Sequence, residues 1–414
     1  MRPARTDEHA RAEKPPEKHP IFVAWMAAAA DCAASLLLGP PSSRLAAYVT
    51  CVVTTSAVPS HPSAALMDAT LASVRKRVRG AENLRAIIAC DICGLAEDGG
   101  DHYKRGRVSA ERRDKYHAYV KDIQRKCSDG REPNYAAASV LDARDAFPGR
   151  DAPLGFARVL EHVISMHVRT PLVLVVQHDY VFTRQVDLCP ACTAILSPRW
   201  PTVHAVGLQA MATVDYPQKC RSRYGIDIER YALPLPSPLE EARLALGLEC
   251  NATSQLNAPR SSTPRLLPTL LWYDKTHVAR KSYYLNFVLR LCEGEFPEDT
   301  FGQAELADIK ANGMEAHLKY GNYVLDQGRE PTIYHLSGRK AVAMDNGGGL
   351  EDGISLVHDD GTDAGGGNAR AHTAVVAGLG RAANGGADAA GQKRFKQQCF
   401  KCGEKGHSFK NCPN

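Results

Sequence analysis

Short apolar runs rich in β-branched residues alternate along this chain with segments of helical spacing. Tyr48–Thr55 (YVTCVVTT) reads as a buried strand closed by the turn signal Val58–Ser63, and Ala64–Arg79 then places Leu66, Ala69, Thr70, Val74 and Val78 at helical intervals. Leu84–Cys90 (LRAIIAC) reads as a second buried strand, ending at Asp91. A polar, basic stretch from Asp101 to Arg131 contains a helix-like segment, Arg112–Lys126. Pro153–Val168 is expected as a helix with Pro153 in its first turn, because proline has no amide for that position to use. Pro171–Gln177 (PLVLVVQ) is the most apolar strand of all. Strands that are apolar at every position are buried on both faces, as in a parallel sheet covered by helices. The pattern therefore predicts an α/β core over residues 45–340, with a mostly parallel sheet flanked by helices. Leu266–Tyr273 adds a strand and Phe301–Gly313 a helix.

The flanks differ from this core. Residues 1–44 are expected to be disordered apart from the apolar segment 21–39, which is interrupted by Asp31 and consists mostly of alanine. Its length approaches that of a membrane span and a charged segment precedes it, but a buried or targeting-related helix is the favoured reading. Residues 341–395 are rich in Gly, Ala, Asp and Asn, as in Asn346-Gly347-Gly348-Gly349. Too little apolar surface is available there to offset the entropy of ordering, so a flexible linker is expected.

Of the 414 residues, 44% are hydrophobic, enough for a sizeable core, and the formal charge of +5 is too small for a chain wrapped along its whole length on nucleic acid. The 13 cysteines are odd in number and widely spread, which argues for reduced thiols plus a metal site over a disulfide framework. Asn251-Ala252-Thr253 is a glycosylation sequon, relevant only in a secretory compartment.

The last segment, 396–414, carries Cys399, Cys402, His407 and Cys412 in the spacing C-x2-C-x4-H-x4-C. Thiolates and imidazole are the ligands that tetrahedral Zn²⁺ prefers, and four protein ligands leave no open position, so one structural zinc per chain is expected. Gly403 and Gly406 suit the tight turns of so short a loop. These residues resemble the retroviral nucleocapsid type of CCHC zinc knuckle. The resemblance implies that Phe400 and Phe409 stack on the bases of single-stranded RNA or DNA. Lys401, Lys405 and Lys410 would then meet phosphates, helped by the basic lead-in Lys393–Lys396.

In the core, Gln177-His178-Asp179 closes the apolar strand, where α/β sheets place ligand-binding residues, and Glu298-Asp299 precedes a helix. The stretches YVTCVVTTSAVPSHPS (48–63), LVLVVQHDYVFTR (172–184), LLWYDKTHVAR (270–280), FPEDTFGQ (296–303) and IYHLSGR (333–339) resemble glycosyltransferases of the A-type fold, especially a glycosyltransferase-like group from algae and protists. The resemblance implies that Asp91 faces the nucleotide base and that Asp179 stands in the motif binding metal and diphosphate. It makes His335 a late metal ligand and Asp299 or Glu298 the catalytic base. The cofactors would be Mn²⁺ or Mg²⁺ with a nucleotide sugar, and the partner a glycan acceptor. One departure is plain: the usual Asp-x-Asp is here His178-Asp179-Tyr180, with a single carboxylate.

Two readings follow. The first is a zinc- and nucleic-acid-binding protein whose knuckle is tethered to a glycosyltransferase-like core, placed in the cytoplasm or nucleus. The second is a nucleotide-sugar-dependent glycosyltransferase with an accessory knuckle, placed in the Golgi or ER. A further C-x2-C pair, Cys189 and Cys192, would bind a second zinc only if histidines such as His162, His167 and His178 came close.

Overall fold

The computed structural model describes residues 41–235, 264–292, 294–328 and 330–336. The apolar segment 21–39, the sequon, the linker 341–395 and the knuckle 396–414 lie outside the described residues. The chain divides into two units, Met1–Gly361 and Thr362–Asn414, and the described residues belong to the first.

The entry helix α1 (Pro41–Tyr48) begins slightly ahead of the expected start of the core at Leu45 and leads into β1 (Val49–Thr55), whose seven residues are all buried. Helix α2 (Ala65–Arg77) returns the chain to β2 (Ala86–Cys90), which pairs parallel to β1 with Thr55 opposite Cys90. A small excursion, β3 (Gly94–Leu95) and β4 (Arg107–Val108), precedes α3 (Ala110–Asp129) and the parallel edge strand β5 (Ala138–Asp142). Helix α4 (Phe156–His167) then carries the chain back across the sheet to β6 (Leu172–Gln177), on the other side of β1.

The remaining strands are β7 (Tyr180–Phe182), β8 (Ala205–Leu208), β9 (Leu233–Pro234), β10 (Arg265–Pro268), β11 (His277–Arg280), β12 (Asn322–Asp326) and β13 (Ile333–His335). Together they give a nine-stranded sheet ordered β5-β2-β1-β6-β11-β8-β12-β10-β9, and a separate antiparallel ribbon of β7 and β13. The expected α/β sheet flanked by helices is present. Its parallel part is β5-β2-β1-β6; beyond β6 the sheet is mixed, since β11 runs antiparallel to both β6 and β8, and β10 to both β12 and β9.

Alternate residues of the central strands feed opposite layers, as the two-residue period of a strand requires. Cys51, Val53, Leu174 and Val176 join one core with α2, α3 and α5 (Cys189–Leu196); Val52, Val173 and Val175 join the other with α4 and α7 (Phe301–Asn312). A third cluster gathers Tyr216 and Cys220 of α6 (Tyr216–Tyr224) against Leu267, Leu270 and Leu271.

Three expected boundaries move, each for a local reason. Pro153 lies outside its helix, because the amides of Leu154 and Gly155 donate to the Asp91 carboxylate and α4 begins only at Phe156. The expected strand Leu266–Tyr273 ends at Pro268. Leu270 and Trp272 are buried by packing in the second and third cores, without strand pairing. The basic helix is longer than Arg112–Lys126, running from Ala110 to Asp129. Among the described residues no helix is long and apolar enough to cross a membrane.

Candidate functional site

From β1 the chain winds outward through β2 to β5, then crosses back to β6, so the winding direction reverses beside β1. In open α/β sheets the carboxyl ends of the strands at such a reversal form a crevice where ligands bind. At this crevice Thr55, Cys90 and Gln177 end their strands together, and the residues that follow them are the candidates.

His178 is fixed through its backbone: its amide donates to Thr54 O at 3.0 Å and its carbonyl accepts from Thr70 Oγ1 at 2.7 Å. Its imidazole is buried beside His61, ring centroids 6.2 Å apart, and its Nε2 has no hydrogen-bond partner. Burial lowers the His178 pKa, partly offset by the Asp179 charge, so the ring is neutral near pH 7.

Asp179 and His335, far apart in sequence, meet. The ribbon pairs His335 with Tyr180, sets its ring at a tilt 4.9 Å from that of the tyrosine and brings Nε2 to 3.0 Å from Asp179 Oδ2; the Leu336 amide donates to the Asp179 carbonyl at 2.7 Å. Burial pushes the Asp179 carboxyl up, but the His335 hydrogen bond and the two neighbouring imidazoles outweigh it, holding the group below the usual carboxylate range. Its second oxygen, Oδ1, is buried without a partner.

Glu298 and Asp299 sit in the turn before α7, Glu298 half-buried and Asp299 exposed. Their neighbour Asp274 was not singled out by the sequence. It is 4% exposed, accepts from the Trp272 indole at 2.7 Å and from the Glu298 amide at 2.9 Å, and its carbonyl accepts from the Gln177 side chain. Burial, with the Glu298 and Asp299 charges added, pushes its carboxyl up to about 8. Burial also raises Glu298, against the pull of Lys275. The missed signal was the polar step Tyr273-Asp274-Lys275 directly after an apolar run and one residue before the strand that starts at His277.

Asp91, by contrast, is committed to the backbone. Its oxygens accept from the amides of Ile92 (2.7 Å), Leu154 (3.0 Å) and Gly155 (3.2 Å), which makes it the clasp between the end of β2 and the start of α4.

Beyond the ribbon lies a polar cavity of about 610 Å³ lined in part by Arg184, Gln209, Arg265 and Asp326. Gln209 carries the ribbon, accepting the Thr332 and Ile333 amides on its carbonyl, while its buried Oε1 and the Arg184 Nε have no hydrogen-bond partner.

The donor set can be tested against a divalent cation. Asp179 offers one unpartnered carboxylate oxygen, and His335 adjoins the other. One carboxylate oxygen suits a cation whose shell is completed by water and phosphate oxygens, as Mg²⁺ usually is, and not an all-protein cage. Among the described residues no group of three or more His, Cys, Asp and Glu is arranged to hold a metal. A second zinc at Cys189 and Cys192 is therefore not formed: His162 and His167 are neighbours on α4, 5.8 Å between rings, whereas His178 lies at the end of β6.

No protein-family model matches this chain, and no curated protein does. Solved structures similar to it include glucosyl-3-phosphoglycerate synthase from Mycobacterium tuberculosis in complex with Mn2+, UDP and glucosyl-3-phosphoglycerate. That match has 8% identity and a TM-score of 0.31, and covers 72% of this chain and 75% of that one. The same enzyme in complex with Mg2+ and UDP gives 8% identity, a TM-score of 0.29 and coverage of 71% and 73%. Likeness at this level adds nothing to what the sheet itself shows, and no residue is carried across from it.

Proposed function

We propose that the α/β core is a nucleotide-sugar-dependent glycosyltransferase whose diphosphate site lies at the crevice beyond β1 and β6. The observation that supports this best is the Asp179–His335 pair: an ionised carboxylate with one buried, unpartnered oxygen at the reversal of the sheet, closed over by a strand from the far end of the core. Asp179 remains charged at neutral pH because His335 donates to it, and through its unpartnered Oδ1 it would hold Mn²⁺ or Mg²⁺ against a diphosphate while His335 orients the carboxylate. Such a cation, when bound, would supply positive charge to the leaving diphosphate. The base for the acceptor hydroxyl would come from the turn at Glu298 and Asp299. A general base works best with a pKa drawn toward the working pH, and burial moves Glu298 in that direction. As the hydroxyl oxygen bonds the anomeric carbon, its proton passes to this carboxylate and the diphosphate departs with the glycosidic electron pair. The cavity beside Gln209 offers room for a hydroxyl-rich acceptor. The test is turnover of a panel of UDP- and GDP-sugars with Mn²⁺, expected to vanish in Asp179→Ala and in the double variant Glu298→Gln with Asp299→Asn; failure of the intact protein to bind any nucleotide sugar would reject the reading.

A second activity is favoured by the ligand spacing of Cys399, Cys402, His407 and Cys412: a structural zinc knuckle that binds single-stranded RNA or DNA through Phe400, Phe409 and the adjacent lysines. One zinc per chain is expected, lost in Cys402→Ala or His407→Ala. Removing 392–414 should abolish binding to single strands. An intact chain free of zinc would sink this reading.

A further inference from the structure

Two side chains that line the cavity of about 610 Å³ beyond the ribbon are brought together by a third residue, Thr332. Gln209 follows β8 and accepts the Thr332 amide on its backbone carbonyl at 2.7 Å; Arg184 follows β7 and donates from Nη2 to the Thr332 hydroxyl at 3.0 Å. The other terminal nitrogen, Nη1, donates to the Gln327 carbonyl at 3.3 Å. These bonds fix the guanidinium and leave one nitrogen over, since Arg184 Nε is buried without a partner. Gln209 Oε1 is in the same condition, on a residue only 4% exposed. A donor and an acceptor thus stand unsatisfied beside one residue of a polar cavity, whereas buried polar groups as a rule are hydrogen-bonded.

The charge around them is uneven. Among the described residues three arginines line the cavity. Arg221 pairs with Asp227 and Glu229, and Arg265 with Asp326 and Glu229, all within 3.2 Å. Arg184 has a carbonyl and a hydroxyl as acceptors, and no carboxylate among the described residues pairs with it. The other lining carboxylate, Asp215, is exposed and interacts electrostatically with Lys219. A guanidinium with its charge left over suits a carboxylate or phosphate, whose oxygens match its planar fork. An unpartnered amide oxygen suits a hydroxyl, and a site built to bond a hydroxyl discriminates strongly against a ligand that lacks one.

We propose that this cavity binds a small hydroxylated anion, its carboxylate or phosphate monoester on Arg184 and one hydroxyl donating to Gln209 Oε1. Its role as the acceptor of sugar transfer rests on the reading above, and such an acceptor carries a second hydroxyl, so that one is held while the other reacts.

The experiment titrates the full-length protein, without nucleotide sugar, with glycerate, glycerol phosphate, propionate and glycerol, and follows binding by calorimetry and ligand-detected NMR. Glycerate and glycerol phosphate separate a carboxylate from a phosphate; propionate lacks the hydroxyls and glycerol lacks the charge. Expected is binding of at least one hydroxylated anion about tenfold or more tighter than either control, the scale of one hydrogen bond to a charged group. Arg184→Gln should remove the preference over glycerol, and Gln209→Leu the preference over propionate. A control that binds as tightly as both hydroxylated anions overturns the proposal. So does an unaltered protein that binds none of the four, which would show that Arg184 and Gln209 satisfy each other. These comparisons use the unaltered protein and do not depend on either variant folding. The transferase reading fails separately: an anion that binds here but accepts sugar from no nucleotide sugar upholds the site and counts against transfer, whereas transfer to a neutral glycan without anion binding does the reverse.

Discussion

His335 Nε2 lies 3.0 Å from Asp179 Oδ2, joining the final described strand of the core to the carboxylate two residues beyond the end of its most apolar one. The contact is made by the ribbon register, Ile333 opposite Phe182 and His335 opposite Tyr180, which Gln209 supports from below. Because the hydrogen bond holds the carboxyl below its ordinary range, the associated stability is present above the unfolded carboxylate pKa, about 4, and is lost as pH falls through the lower folded value. His335→Ala should cost about 1 to 2 kcal/mol at pH 7, and the difference from the unaltered protein should shrink below pH 4. Urea unfolding across pH 3–7 measures this; a difference that does not change with pH would contradict the pairing.

Asp274 gives the opposite slope. Its folded pKa is raised to about 8, so the folded state binds a proton that the unfolded state has released, and stability falls as pH rises from about 4 to about 8. In Asp274→Asn, which cannot ionise, that part of the decline should disappear. Unfolding midpoints at pH 5, 7 and 9 test the sign. The Trp272 emission should report the same titration, since its indole donates to Asp274.

Asp91→Ala should destabilise the protein by about 2 kcal/mol or more, because the amides of Ile92, Leu154 and Gly155 lose their acceptor together. Hydrogen exchange at Leu154 and Gly155 should accelerate well beyond exchange in the central strands. Unchanged protection there would show that another group holds the start of α4.

Gly321→Ala is expected to be among the most damaging single methyl additions. Gly321 adopts φ +62°, and a Cβ would stand 2.0 Å from the Thr202 carbonyl oxygen, at the point where Gly321 O also accepts the amides of His204 and Ala205. The left-handed backbone alone costs about 1–2 kcal/mol for a residue with a Cβ. The clash adds to it, so thermal unfolding should show a loss greater than about 2 kcal/mol.

Much of the parallel half of the sheet was legible from residue order. β1, β2 and β6 are continuous apolar runs because both faces of the sheet are covered, and burial on both sides leaves a mark that needs no partner to interpret. The same rule misread Leu266–Tyr273. An apolar run records burial and not the partner of its backbone, and here Leu270 and Trp272 are buried by side-chain packing after strand pairing has stopped at Pro268.

The sequence by itself determined the α/β class, the carboxylates at the ends of its strands and the fourfold ligand spacing of the tail, because these depend on composition and on local periodicity. Only the tertiary structure decided what surrounds each carboxylate. It turned Asp91 inward to clasp three amides, paired Asp179 with His335 and buried Asp274 beside Glu298. An acid's role depends on its desolvation and on the dipoles and charges that reach it, and those neighbours arrive from distant parts of the chain.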